Sequence, residues 1–195
     1  DWLIAKIPEY EVSEYLEQAF SDSTHHLWRL NTSSSVINNH FLKVCDQTKS
    51  PFWEVTQQLF NFELTSEVAN FSSTYEFISE VCSLEIPSLI KAETLENNNA
   101  YILTSELSGG AIESNVSDEM VRQLALHLAE LHSNTSNTWG PLNQPKFNLS
   151  DWTHRLETVL VSSDKKWGGV FLDSDKYLKQ ALEACSDIQT KSFVP

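Results

Sequence analysis

The chain favours β-strands in its first half and α-helices in its second half, and this order limits the folds open to it. Two runs rich in strand-forming residues, 27–30 and 40–45, flank a turn-like segment. A second pair, 86–90 and 100–104, follows the same pattern. Pro87 predicts an edge position for residues 86–90, because proline donates no hydrogen bond to a neighbouring strand. We therefore expect an α+β fold built on antiparallel hairpins.

Helical patterns lie before, between and after these strands. Val12, Tyr15 and Leu16 recur at helical spacing among glutamates, which predicts an amphipathic helix from Glu9 to Phe20. Ser117 and two acidic residues after it predict the start of another helix. Further helices are predicted from Pro51 to about Leu84, where Asn70 to Ser73 separates two of them, from Ser150 to Leu160 and from Ser174 to Cys185. Turns or breaks are predicted at Asn97 to Asn99 and at Gly168-Gly169.

Composition and charge exclude several classes of protein. The 195 residues are 41% hydrophobic, enough for a buried core, and 27 acidic side chains outnumber 13 basic ones, giving a net charge of −14. Nucleic acids and anionic membranes bind mainly through clustered basic residues, and the longest basic run is Lys165-Lys166. We therefore expect neither nucleic acid nor a membrane as a partner.

The N-terminus and the cysteines indicate a reducing compartment. The first residues lack the charged and then apolar layout of a signal peptide, so a cytoplasmic location is expected. Three distant cysteines, Cys45, Cys82 and Cys185, are odd in number and offer no paired spacing for a disulfide framework. They are predicted to be reduced and mostly buried.

The chain lacks the common catalytic and metal-binding motifs. It contains no phosphate-binding P-loop, dinucleotide-binding glycine motif, zinc-protease motif, Cys-x-x-Cys or serine-hydrolase elbow. His25 and His26 are placed in a loop, and His127 and His132 are five residues apart, which does not put both on one face of a helix. No metal site is therefore predicted from the histidines.

Four short segments occur in an order that resembles a known group of enzymes. They are Phe41-Leu42-Lys43-Val44, Leu84-Glu85-Ile86-Pro87, Ile102 to Gly109, and Leu128-Ala129-Glu130-Leu131-His132. In this order they resemble the lysine strand, the strand entry, the hinge and the helix ending of the aminoglycoside phosphotransferase, choline kinase and fructosamine kinase group. The resemblance runs along nearly the whole chain.

The resemblance implies a protein-kinase-like fold and a phosphotransferase activity. Residues 1–108 would form an N-lobe with a small antiparallel sheet that binds nucleotide, and residues 109–195 would form part of a helical C-lobe. Such enzymes bind ATP with Mg²⁺ and transfer phosphate to a small hydroxyl-bearing acceptor. Aminoglycosides, amino alcohols and sugar amines all stay open as acceptors.

Lys43 is the central candidate for nucleotide binding. Strand alternation puts its side chain on the face of Phe41 and Cys45, where an ammonium group could meet phosphate oxygens; a solvated strand lysine is the alternative. The resemblance requires a carboxylate that holds the ammonium group. Glu76 is the first choice, Glu67 the second and Glu63 the third.

The resemblance implies two further sets of contacts with ATP. In the polar segment Ser21 to His26, the hydroxyls of Ser23 and Thr24 are expected to donate to phosphate oxygens, although a plain polar turn fits the segment equally well because it contains no glycine. In the hinge, main-chain groups of Ser105 and Leu107 are expected to pair with the adenine edge.

The catalytic part of the resembling enzymes is absent from the sequence. Their His-Gly-Asp-type loop and metal-binding Asp have no counterpart, so no catalytic residue or metal ligand is assigned and both are expected beyond Pro195. The chain starts with Asp1 rather than Met, and both ends are expected to be cut. The hypothesis is a truncated kinase that is inactive as it stands.

Two other classes of protein stay open. One is a non-catalytic module whose acidic helical half binds a protein partner. The other is a helical regulatory domain with an appended hairpin. The kinase-like arrangement predicts a five-stranded sheet, whereas the regulatory domain predicts at most isolated hairpins.

Overall fold

The computed structural model describes residues 6–17, 23–32, 39–46, 52–96, 99–108, 116–142, 147–167 and 173–186. Its strands are β1 (Tyr10–Leu16), β2 (His25–Thr32), β3 (Asn39–Asp46), β4 (Leu89–Thr94), β5 (Asn99–Ser105), β6 (Thr138–Trp139) and β7 (Phe147–Asn148). Its α-helices are α1 (Phe52–Phe60), α2 (Leu64–Glu67), α3 (Phe71–Val81), α4 (Asp118–Ser133), α5 (Leu149–Trp167) and α6 (Ser174–Ser186), and a 3₁₀ turn, Val68–Asn70, joins α2 to α3.

The first five strands form one antiparallel sheet in the order β1-β2-β3-β5-β4. The two predicted hairpins are confirmed, and they are joined through the pairing of β3 with β5. A helical domain with an appended hairpin would contain at most isolated hairpins, whereas the structure has a continuous five-stranded sheet. That alternative is therefore excluded.

The predicted helix from Glu9 to Phe20 is wrong, because Tyr10–Leu16 forms strand β1 at one edge of the sheet. The pairing with β2 shifts by one residue between Val12 and Glu14. This bulge brings Val12 and Tyr15 to the same face although they are three residues apart. The same spacing is typical of one helix face, so local sequence did not distinguish the two structures.

Other predicted boundaries move by a few residues. The strand expected at residues 86–90 begins at Leu89, two residues after Pro87, and it does lie at an edge. The first helix of the region 51–84 ends at Phe60, where Asn61 takes a positive φ of 53° and its N–H donates to the Gln57 carbonyl at 2.8 Å. The expected turn at Asn97-Asn98 and the break at Gly168-Gly169 lie outside the described residues.

The core of the sheet lies on one face. It is made of side chains that are nearly all inaccessible to solvent: Ile7, Tyr10, Leu30, Leu42, Val44, Leu95, Tyr101 and Leu103. Leu42 pairs with Leu103 and Val44 with Tyr101 across β3 and β5, so the two central strands supply half of this cluster. Burying these side chains is the main favourable term for the sheet.

The chain divides into two compact units. The first comprises Asp1–Ser50 and Leu64–Leu131 and holds the five-stranded sheet, and the second comprises Pro51–Glu63 and His132–Pro195. The division expected between residues 108 and 109 stays a prediction.

In the second unit, α1 packs on α5. The Arg155 guanidinium donates to the carbonyl of Leu59 at 2.9 Å and lies 4.3 Å from the centre of the Phe147 ring. It therefore satisfies a carbonyl at the end of α1 while it covers an aromatic ring. Trp139 is held in the same unit by its indole N–H, which donates to the Asn148 carbonyl at 2.9 Å.

Helix α4 is present as predicted, and Ser117 caps it by accepting a hydrogen bond from the Met120 N–H at 3.2 Å. Its apolar side chains are nevertheless exposed, including Val121 at 55% and Leu124 at 52%. In the described part of the chain, no helix combines the length and apolarity needed to traverse a bilayer.

We predict that Leu42→Ala lowers the free energy of unfolding by about 2 to 5 kcal/mol, because it opens a cavity between β3 and β5. The matched control is Leu124→Ala on α4, which removes the same atoms from an exposed side chain and is expected to cost less than about 1 kcal/mol. Urea unfolding followed by circular dichroism measures both. Equal losses in the two variants would contradict the assigned core.

Candidate nucleotide site

Lys43 lies on the face of the sheet opposite the core. Leu42 and Val44, its neighbours on β3, point into the core, so Lys43 points away from it. Its side chain is exposed, and among the described residues no ion pair to it is found. We call this side of the sheet the Lys43 face; Phe41 and Cys45 share it, as expected from the alternation along the strand.

Helix α2 covers one end of the Lys43 face. Cys45 pairs with Ala100, and Ala100 pairs with Thr94, so these three side chains lie on the same face as Lys43. The Thr94 hydroxyl donates to the carbonyl of Thr65 in α2 at 2.8 Å. Cys45 and Ala100 are both buried at this end, whereas Lys43, one row further along, is exposed. The lysine therefore lies next to the covered end of an otherwise more open face.

The three candidate carboxylates differ in their surroundings. Glu67, at the end of α2, is 6% exposed, and its carboxylate accepts a hydrogen bond from the Asn70 side chain at 2.9 Å. Glu76 lies on α3 and is exposed. Glu63 lies in the second unit. Only Glu67 is thus a buried acid on the segment that crosses the Lys43 face.

Ser23 and Thr24 precede β2 and already have local contacts. The Ser23 hydroxyl accepts a hydrogen bond from the His25 N–H at 3.3 Å. Thr24 is buried, and its hydroxyl lies 3.9 Å from the Cys45 sulfur. Ser21 and Asp22 lie outside the described residues. The expected donation from both hydroxyls to phosphate stays a prediction.

The sequence predicts a loop at His25 and His26, and this prediction is wrong. The two histidines are the first residues of strand β2. His25 is opposite Cys45 and so lies on the Lys43 face, while His26 lies on the core face against Tyr15 and Trp28. Burial lowers the pKa of His25 below its ordinary value, and the positive charges of Lys43 and His26 lower it further. Extending the predicted strand at residues 27–30 by two residues towards the N-terminus would have placed His25 on the same face as Lys43.

The end of β5 and the residue after it are fixed by contacts to β2, to β3 and to Ser88, which precedes β4. The Ser105 N–H donates to the Ser88 carbonyl at 2.9 Å, so it already has an acceptor. The Glu106 carboxylate accepts a hydrogen bond from the Asn39 side chain at 2.6 Å and lies 3.6 Å from the Arg29 guanidinium. Leu107 is exposed, and Gly109-Gly110 lies outside the described residues. The pairing of Ser105 and Leu107 with adenine stays a prediction.

No metal centre is formed by the residues whose positions are described. Within them, no group of three or more His, Cys, Asp or Glu side chains comes together. Of the cysteines, Cys45 and Cys185 are buried and Cys82 is half-buried, and none of these three forms a disulfide.

The fold is similar to that of a solved enzyme structure. The crystal structure of a putative fructosamine-3-kinase from Haemophilus somnus 129PT superposes with a TM-score of 0.53 at 15% sequence identity. The similarity covers 97% of this chain and 61% of the other, so the chain spans about three fifths of its neighbour's length. No protein-family model matches the chain, and no curated protein matches it. At this identity the similarity shows the fold alone, and that fold is kinase-like.

We predict that His25 contributes to the pH dependence of stability. Because its pKa in the folded protein lies below the ordinary value of 6.5, the unfolded chain binds this proton more readily. The stability that depends on neutral His25 is complete above about pH 6.5 and is lost as the pH falls further. His25→Gln should therefore lose less free energy of unfolding than the wild type between about pH 7.5 and 5.5.

Urea unfolding at a series of pH values measures this difference, with His154→Gln, which removes an exposed histidine of α5, as the control. The control is expected to keep the wild-type pH dependence. If His25→Gln and the wild type lose the same free energy, His25 is not held neutral by its surroundings.

Proposed function

We propose that this chain binds ATP on the Lys43 face of its first unit and belongs to a phosphotransferase acting on a small hydroxyl-bearing substrate. The observation that carries the proposal is the position of Lys43: it lies on the face crossed by α2, in a kinase-like fold. A primary ammonium group here could neutralise phosphate oxygens, as the lysine strand of kinases does. The Haemophilus somnus structure supports the kinase-like phosphotransferase class, and the acceptor is left open among aminoglycosides, amino alcohols and sugar amines.

We assign Glu67, rather than Glu76, as the carboxylate that orients Lys43. Glu67 follows Thr65, whose carbonyl contacts the Lys43 face, and it is buried. A buried carboxylate is costly unless it is paired, so an incoming or reoriented ammonium group would be favoured there. Glu76 is exposed to water and lacks this bias.

The remaining parts of the reaction are assigned by the resemblance alone. Bound Mg²⁺ would neutralise negative charge on the phosphate groups of ATP during transfer. The Asp and Asn side chains that would hold it, and the Asp that would position the acceptor hydroxyl, have no counterpart among these 195 residues by the resemblance. We therefore expect the 195-residue chain to bind ATP without transferring phosphate.

We predict that Lys43→Ala weakens ATP binding about ten- to a hundred-fold, because a hydrogen bond between charged groups contributes about 1.5 to 3 kcal/mol. Isothermal titration calorimetry with ATP and Mg²⁺ measures the dissociation constant. The matched control is Lys176→Ala, which removes an exposed lysine of α6 and is expected to leave the affinity unchanged. Absence of ATP binding, or equal affinity in all three proteins, would reject the proposal in favour of an acidic binding module.

We predict that Glu67→Gln weakens ATP binding about fivefold, the equivalent of about 1 kcal/mol, because Lys43 loses its orienting charge. The substitution keeps an oxygen that can accept the hydrogen bond from Asn70. Glu76→Gln is the control and should bind ATP as the wild type does. The reverse order of effects would return the role to Glu76.

A further inference from the structure

His25 and Lys43, whose side chains are cationic when protonated, are neighbours on the Lys43 face beside its covered end. His25 pairs with Cys45, and Lys43 is two residues before Cys45 on β3. Diagonal neighbours of this kind on an antiparallel sheet are about 7 Å apart, close enough for one phosphate or diphosphate group to contact both. We propose that His25 binds a phosphate of the nucleotide together with Lys43 and takes up a proton as it does so. The inference rests on the proposed ATP site and adds to it a residue that the kinase resemblance does not supply.

The imidazole is held in place by its neighbours in the chain. Nδ1 of His25 lies 3.4 Å from the hydroxyl of Thr24, which is itself buried near Cys45. The main-chain N–H of His25 donates to the Ser23 hydroxyl at 3.3 Å. The ring is half-buried, so its orientation is restricted, and the proposal assigns Nε2 to the phosphate.

The segment Ser21 to His26 contains no glycine, so a side chain such as the His25 imidazole would have to supply the contact with phosphate that a glycine backbone N–H commonly makes. Loops that cover phosphates commonly use glycine, because its backbone N–H can approach the phosphate closely. This segment has no such residue. A side-chain donor that reaches out from the start of β2 supplies the same kind of contact without requiring the backbone to come near.

The charges around His25 favour a neutral ring until an anion binds. On β3 it faces Lys43 and the buried thiol of Cys45, and on its own strand the neighbouring His26 points to the opposite face. The acid on the helical segment that crosses this face is Glu67, which accepts a hydrogen bond from Asn70. Burial and the charges of Lys43 and His26 together lower the pKa of His25.

A bound phosphate reverses this balance. Its negative charge stabilises the protonated imidazole, so the pKa of His25 rises when the anion binds. By linkage, binding takes up a proton and the affinity increases as the pH falls from about 8 to about 6. The glutamine variant cannot take up this proton and should show a flatter pH profile.

The first experiment is calorimetric titration of ATP, without metal, into the wild type, His25→Gln and the control His154→Gln, an exposed histidine of α5, at about pH 6.5 in buffers of different ionisation enthalpy. Protonation of ATP itself contributes equally to the three titrations and therefore cancels when the proteins are compared. We expect His25→Gln to bind about fivefold more weakly and to take up fewer protons than the wild type. His154→Gln should match the wild type in both quantities.

The outcomes separate this inference from the proposed function. If Lys43→Ala weakens binding while His25→Gln changes neither affinity nor proton uptake, His25 has no role and the ATP site stands. If neither variant changes the affinity for ATP, both proposals fail.

A second measurement does not depend on the folding of a variant. The imidazole proton resonances of wild-type His25 are titrated by NMR with and without inorganic pyrophosphate. We expect the pKa of His25 to rise in the presence of pyrophosphate. An unchanged His25 titration at saturating pyrophosphate would overturn the inference.

Discussion

The register between β3 and β5 decides which side chains are available for binding. Leu42 and Val44 pair with Leu103 and Tyr101, and these four residues are buried on one face. Because side chains alternate along a strand, a shift of one residue would bury Lys43 and expose the core. The hydrophobic effect that stabilises the sheet therefore also determines the face on which Lys43 lies. The proposed site needs no additional contact to orient strand β3.

Helix α2, in the segment between β3 and β4, covers one end of the Lys43 face. It crosses the sheet at Thr94, where a side-chain hydrogen bond attaches it, and leaves Lys43 exposed beside a buried region. Glu67 is carried by α2 and His25 by β2. A face with a covered end and an exposed lysine suits an anion better than a uniformly solvated strand does, because charges interact more strongly near low-dielectric protein.

Sequence predicted the parts of this structure that local pattern determines. Both hairpins, helix α4 and the strand that carries Lys43 were found from alternation, helical spacing and capping. Strand β1 was not, because a bulge gave Val12 and Tyr15 a helical spacing that only pairing with β2 could resolve. His25 was missed for a similar reason, since its face is set by Cys45 across the sheet, and the burial that distinguishes Glu67 from Glu76 comes from packing.

Mapping of backbone amide shifts by NMR tests directly whether ATP binds the Lys43 face. On addition of ATP with Mg²⁺ to the isotope-labelled chain, we expect the largest changes at residues 23–25, 41–45, 65–67 and 105–107, with little change on α5 and α6. Changes confined to the second unit, or none at saturating ATP, would contradict the claim.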